Sequence, residues 1–269
     1  MFWTRLVSGI VLLAVAIVTI VLNGPLLFAV LLFISLVGMF ELYRATGIQK
    51  NGVNLLTAVS FAAAAAFYIM VFLGLKDLYL PVLIAGLIAD LFVYVFTYPR
   101  YHADEVMTAF FGIAYVAVCL SSIFQIRNLP GGEFTVWLVF LCSWGSDTFA
   151  YCAGRLFGRH RMAPELSPKK TVEGAVGGVL GSAVAGMIYA ACMIHFMHAE
   201  NVRIPVYGLI CVCGALISMV GDLAASAIKR NHDIKDYGRL IPGHGGILDR
   251  FDSVIAAAPG ILLLALIFG

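Results

Sequence analysis

Charge is scarce in this chain. Asp, Glu, Lys and Arg make up 12% of its 269 residues, hydrophobic residues make up 62%, and the mean hydropathy is +0.98. Soluble domains are about half apolar, so a soluble globular protein is excluded. No polar stretch is long enough to form a separate soluble domain. The formal net charge is only +2 and no basic run stands out, which excludes a nucleic-acid partner. The six cysteines lie inside apolar segments. None is spaced like a metal pair or a disulfide framework, so they read as small buried hydrophobes. Signal-peptide features are missing too. The first apolar run, after Arg5, ends at Asn23-Gly24-Pro25 with no small-residue cleavage site, so it reads as a transmembrane helix. Internal repeats and low-complexity linkers are absent, and His102, His160, His195, His198 and His232 have no supporting neighbours.

What is present is apolar length. A helix needs about 20 apolar residues to span a bilayer core. Segments of that kind are expected over 3–22, 25–43, 54–73, 78–97, 105–124, 134–157, 171–197, 205–229 and 248–268. The expected fold is an all-α polytopic membrane protein of about nine transmembrane helices, forming one integral membrane domain over 1–269. The N-terminus and even-numbered loops then carry 14 Lys and Arg residues, the odd-numbered loops only Lys76, Arg127 and Arg203. The positive-inside rule places the N-terminus in the cytoplasm and the C-terminus outside. The segment 171–197 is glycine-dense, and its pairs Gly174/Gly178 and Gly177/Gly181 predict close helix approach.

The scarce charge is concentrated. The 27 residues from Ser226 to Asp252 hold nine charged side chains. Ionisable groups in or beside a membrane are costly, so function is the default reading. Three aspartates, Asp90, Asp147 and Asp222, fall well inside the segments, and a structural pairing with Lys or Arg is the plain alternative for each. Ser218, Asp222, Ser226 and Lys229 recur at helical spacing and share one face, which must meet protein or a water-filled cavity. Asp249, Arg250 and Asp252 open the last segment, and the preceding loop carries Gly238, Gly243, Gly245 and Gly246, able to fold back tightly. Neighbouring carboxylates with water access suit Mg²⁺, and Mg²⁺ beside Lys and Arg suits a polyphosphate. Metal-assisted phosphoryl or nucleotidyl transfer follows; a solvated basic loop is the alternative.

A second constellation favours the first reading. Asp147-Thr148-Phe149-Ala150-Tyr151 is followed by Gly154-Arg155, then by Ser167-Pro168-Lys169-Lys170-Thr171-Val172-Glu173-Gly174. Two lysines at the expected start of a helix oppose its dipole unless an anion binds there. The expected metal ligands are Asp222 and Asp249, with Asp147 near the centre, and Ser226 and Lys229 join the two aspartates as catalytic residues. The expected phosphate-binding groups are Lys169, Lys170, Lys229, Arg230, Lys235, Arg239, His244 and Arg250.

The run from Ser226 to Asp252 resembles the signature of CDP-diacylglycerol synthases, also called phosphatidate cytidylyltransferases. The matching positions are Ser226, Ile228, Lys229, Arg230, Lys235, Asp236, Gly238, Ile241, Pro242, His244, Gly245, Gly246, Ile247, Asp249, Arg250, Phe251 and Asp252. The segments from Asp147 to Arg155 and from Ser167 through Thr171 and Glu173 to Gly174 also resemble that family. The resemblance implies transfer of CMP from CTP to phosphatidic acid, giving CDP-diacylglycerol and pyrophosphate. It implies Mg²⁺ at Asp222 and Asp249, K⁺ as a second cation, and a homodimer in a bacterial inner membrane with its site facing the cytoplasm. The helices of 1–130 then serve as scaffold and dimerisation surface, and 131–269 as the catalytic part. A sister enzyme acting on another lipid phosphate, a CTP-dependent lipid kinase, an ion-coupled transporter and a lipid-binding scaffold are the rival readings; the lack of repeats counts against the transporter.

Overall fold

The computed structural model of the chain describes residues 2–49, 52–241 and 245–268, with side chains from residue 7 onward. His244, Pro242 and Gly243 of the signature, and Lys50 and Asn51, lie outside the described residues. The chain is a multi-pass, all-α membrane protein. Among the described residues, seven helices are long and apolar enough to cross a membrane: Gly24–Ala45, Leu55–Leu73, Lys76–Phe96, Ala103–Arg127, Val172–Met197, Ile204–Asn231 and Leu248–Phe268. The other two expected segments are helical as well. The first is Phe2–Leu22. The sixth is interrupted, passing through Gly132–Thr135, Trp137–Phe140, the π-helical Leu141–Gly145 and Ser146–Phe157. Large apolar side chains such as Phe33, Leu80, Val95, Leu180 and Leu263 are exposed on helix surfaces, where lipid rather than water is the natural surrounding.

One feature departs from an all-helical chain. Arg161–Ala163 and Ser167–Thr171 form a small antiparallel hairpin, with Arg161 opposite Thr171 and Ala163 opposite Ser167. Lys169 and Lys170 therefore sit on a strand, not in the first turn of a helix as expected. Pro168 and the N-cap Thr171 delay the helix to Val172, because the Thr171 hydroxyl accepts the Gly174 N–H at 3.1 Å. The argument from an opposed helix dipole lapses, while the lysines stay beside that helix start.

The chain divides into two compact units, Met1–Phe124 with His232–Arg250, and Gln125–Asn231 with Phe251–Gly269. In the first, Met39, Leu42, Tyr43, Leu56, Phe67 and Tyr68 form a buried core. Its polar groups pair internally. Ser35 and Tyr68 share a hydrogen bond of 2.7 Å, and the Tyr43 hydroxyl donates to the Ala109 carbonyl at 2.5 Å. Asp90 is fully buried and accepts from the Ser60 hydroxyl at 3.2 and 3.3 Å. Its partner is a serine, and no ion pair to it occurs among the described residues.

In the second unit, the glycines of the 172–197 helix work as the sequence predicts. A Cβ on Gly174 would stand 2.8 Å from the Ala150 carbonyl, on Gly178 3.0 Å from that of Ser146, and on Gly181 2.5 Å from the Phe149 ring. Gly177 meets Ala153, and Gly186 meets Cys211 on the 204–231 helix. Both glycine faces thus pack on the 146–157 helix. All six cysteines are free, and Cys142 and Cys211 are buried as expected, whereas Cys152 is exposed. Gly178→Leu should force the 146–157 and 172–197 helices apart and destabilise the protein by about 1–3 kcal/mol, read as a lowered Tm in detergent. Gly9→Ala, where the added Cβ meets nothing within 4 Å, should not lower the Tm.

Candidate active site

A cavity of about 390 Å³ opens in the second unit, between the 146–157 helix, the hairpin, the start of the 172–197 helix and the 204–231 helix. Asp147, Tyr151 and Arg155 line it from successive turns of one helix face. The Arg155 guanidinium donates to the Tyr151 hydroxyl at 3.3 Å. Lys169, Lys170 and Thr171 enter from the strand, and Asp222 from the 204–231 helix. The lining carries three cations (Arg155, Lys169, Lys170) against two carboxylates. That balance suits a polyanion accompanied by a cation.

The Lys170 ammonium forms an ion pair with Asp222, and the two side chains are 25% and 23% exposed. An expected metal ligand and an expected phosphate-binding group thus neutralise one another. Of the polar residues expected on this helix, Asp222 lines the cavity; Ser218 is buried, Ser226 and Lys229 are half-buried and Arg230 is exposed, and these four are not among its lining residues. Two carboxylates lining one cavity from different helices suit Mg²⁺, which takes one or two carboxylates and completes its shell with water and substrate phosphates. Among the described residues no group of three or more His, Cys, Asp or Glu side chains gathers to hold a metal unaided.

Glu173 and His160 supply a contact that reading the sequence missed. The carboxylate accepts the Arg159 N–H at 3.0 Å and the His160 N–H at 3.2 Å, and lies 2.6 Å from His160 Nδ1. His160 therefore has a partner after all, one that ties the turn before the hairpin to the helix after it. Thirteen residues separate the pair, so no local spacing announces it. Ser167 begins the strand, opposite Ala163.

The described signature residues from Lys235 to Arg250 belong to the first unit, whereas Phe251 and Asp252 belong to the second, where the Asp252 carboxylate accepts the Ser253 N–H at 2.8 Å. The glycine loop does fold back tightly. Ile241 N–H donates to the Gly245 carbonyl at 2.8 Å, with Gly245 in the left-handed region at φ +91°. Asp249 is 6% exposed, and its Oδ2 accepts the Tyr237 N–H at 2.8 Å and the Gly246 N–H at 3.0 Å. Lys235, Asp236 and Arg239 are exposed and Arg250 is half-buried. Glu41, another acid within an apolar helix, accepts from Ile247 and Leu248 of the same loop. Its signal was available, as an acid inside the apolar segment 25–43.

Over residues 3–268 the chain matches the model of the cytidylyltransferase family. It belongs to that family. A protein named phosphatidate cytidylyltransferase from Bacillus subtilis is 31% identical over 276 residues, covering 98% of this chain and 97% of its own. Another of that name from Staphylococcus haemolyticus is 29% identical over 265 residues, 97% of each chain. A third, from Haemophilus influenzae, is 41% identical over 131 residues, 48% of this chain and 44% of its own. As a family member the chain is an enzyme, a nucleotidyltransferase.

In this cytidylyltransferase Lys170→Met should strip Asp222 of its counter-charge and destabilise the protein by about 1–3 kcal/mol. Asp222→Asn should relieve part of that loss. A double-mutant cycle on Tm, with a coupling of about 0.5–3 kcal/mol, checks it; strict additivity would show the pair contributes nothing.

Proposed function

We propose that the chain transfers CMP from CTP to phosphatidic acid, yielding CDP-diacylglycerol and pyrophosphate. The observation that carries this reading is the cavity where Asp147 and Asp222 meet Lys169, Lys170 and Arg155. Its family and the names of its relatives support the same reaction. A phosphate oxygen of the lipid attacks the α-phosphorus of CTP. The new P–O bond forms as the bond from the α-phosphorus to the bridging oxygen breaks, and pyrophosphate leaves with that electron pair. The nucleophile is already an anion near neutral pH, so no strong base is required. The obstacle is bringing two anions together, and preorganised cations lower it.

Within this reading Lys169, Lys170 and Arg155 hold phosphate oxygens, with Lys229, Arg230, Lys235, Arg239, Arg250 and His244 as further phosphate contacts. Lys170 has a flexible stem, which lets its ammonium re-pair from Asp222 to an arriving phosphate. Asp222 and Asp249 would hold Mg²⁺, with Asp147 as a further candidate near it, Ser226 would hydrogen-bond phosphate, and K⁺ would be a second cation. Bound Mg²⁺ would supply charge neutralisation at the phosphates. The reading also includes nine spans with the N-terminus in the cytoplasm and the C-terminus outside. It places a homodimer in the bacterial inner membrane, with helices within 1–130 as scaffold and dimerisation surface, 131–269 as the catalytic part and the site facing the cytoplasm.

The test uses purified protein in detergent with labelled CTP and three competing acceptors: phosphatidic acid, a prenyl-lipid phosphate and a dephosphorylated lipid. Label should enter phosphatidic acid and vanish with chelator. Preference for the prenyl phosphate identifies a sister enzyme, and label from the CTP γ-phosphate on the dephosphorylated lipid identifies a kinase; either defeats the proposal. Asp222→Asn and Asp249→Asn should each cut turnover by about 100-fold or more with the fold retained by circular dichroism. Full activity in either variant removes that residue from the site.

A further inference from the structure

Glu41 lies near the C-terminal end of the 24–45 helix and is only 3% exposed. A buried carboxyl group among apolar helices is unfavourable unless donors surround it. Here both oxygens are used. Oε1 accepts the Ile247 N–H at 3.1 Å and Oε2 the Leu248 N–H at 2.8 Å. Leu248 is the first residue of the 248–268 helix, and N–H groups of a first turn have no partner within their own helix. Glu41 therefore caps a helix from 207 positions away.

The loop is shaped to receive it. A Cβ on Gly238 or on Gly246 would collide with the Glu41 carboxyl group. One turn back along the loop, the Arg44 guanidinium, from the same helix as Glu41, donates to the Tyr237 carbonyl at 3.1 Å. Asp249 holds the loop from within, through the Tyr237 and Gly246 amides. Two carboxylates thus grip four loop amides, and Asp249 directly follows the Leu248 amide that Glu41 holds.

We infer that Glu41 is a positioning residue for the reaction: by holding the Ile247 and Leu248 amides it fixes the arms of the signature loop, 236–241 and 245–249, and so places Asp249. Burial alone would be met better by an apolar residue. The two bare glycines and the two-oxygen grip are what a specific placement requires. Only the part Asp249 plays in turnover rests on the proposed function; the hold on the loop does not.

The test is full-length protein in detergent carrying Glu41→Ala or Glu41→Gln, read by hydrogen–deuterium exchange, Tm and steady-state CMP transfer. With Ala, exchange over 245–250 should rise about tenfold or more with other regions unchanged, since the amides lose their acceptor. The kcat should fall about 10–100-fold, with KM for CTP within about threefold. Gln keeps one acceptor oxygen and should fall between wild type and Ala in both readouts. Unchanged loop exchange and kcat in the Ala variant overturns the inference. So does exchange rising along the whole chain with activity lost only in proportion to folded protein, which marks a mere scaffold residue. If the wild-type protein fails to use CTP and phosphatidic acid, the proposed function fails, and the loop exchange still judges the hold of Glu41 on the loop.

Discussion

A carboxylate cannot stay among apolar helices without donors, and this chain has few charged donors to offer. It meets the demand in three ways. Asp90 takes a serine hydroxyl. Glu41 and Asp249 take backbone amides of a glycine loop. Asp222 is paired with a charged side chain, Lys170. The first two solutions are rigid, because hydroxyl and amide donors are fixed by their helices and loop. The third can exchange partners, because an ammonium on a four-carbon stem re-pairs at little conformational cost. Exchangeable charge is what a site for incoming phosphates needs.

The cavity owes its shape to glycine. The 172–197 helix lies close enough to the 146–157 helix for carbonyls to approach glycine Cα atoms. That contact brings the hairpin, with its two lysines, to the face that carries Asp147, Tyr151 and Arg155. Larger side chains at Gly174, Gly177 or Gly178 would widen the gap and disperse the charges. Packing in one place and chemistry in another are thus a single constraint.

Loop order in the first unit follows a similar logic. Glycines at 238, 245 and 246 allow the tight reversal, but glycine alone specifies no conformation. The acceptors specify it: Asp249 from the loop's own end, and Glu41 with the neighbouring Arg44 from a distant helix.

Hydropathy made the helices legible, because an apolar run of span length has one stable form in lipid. The signature made the family legible, and the spacing of Asp222 with Ser218 and Ser226 made the polar helix face legible. Three things were not. Lys169 and Lys170 lie on a strand because Arg161–Ala163 pairs with Ser167–Thr171, and strand pairing depends on a partner outside the local window. His160 finds Glu173 for the same reason. Glu41 is one acid in an apolar run of the sequence, and the loop it holds lies over two hundred residues away. Composition and periodicity determined that this chain is a membrane-embedded helical protein, and the signature carried its resemblance to an enzyme family. Only tertiary packing decided which donor meets which acid, since hydrogen bonds and ion pairs form between groups near in space, whatever their separation along the chain.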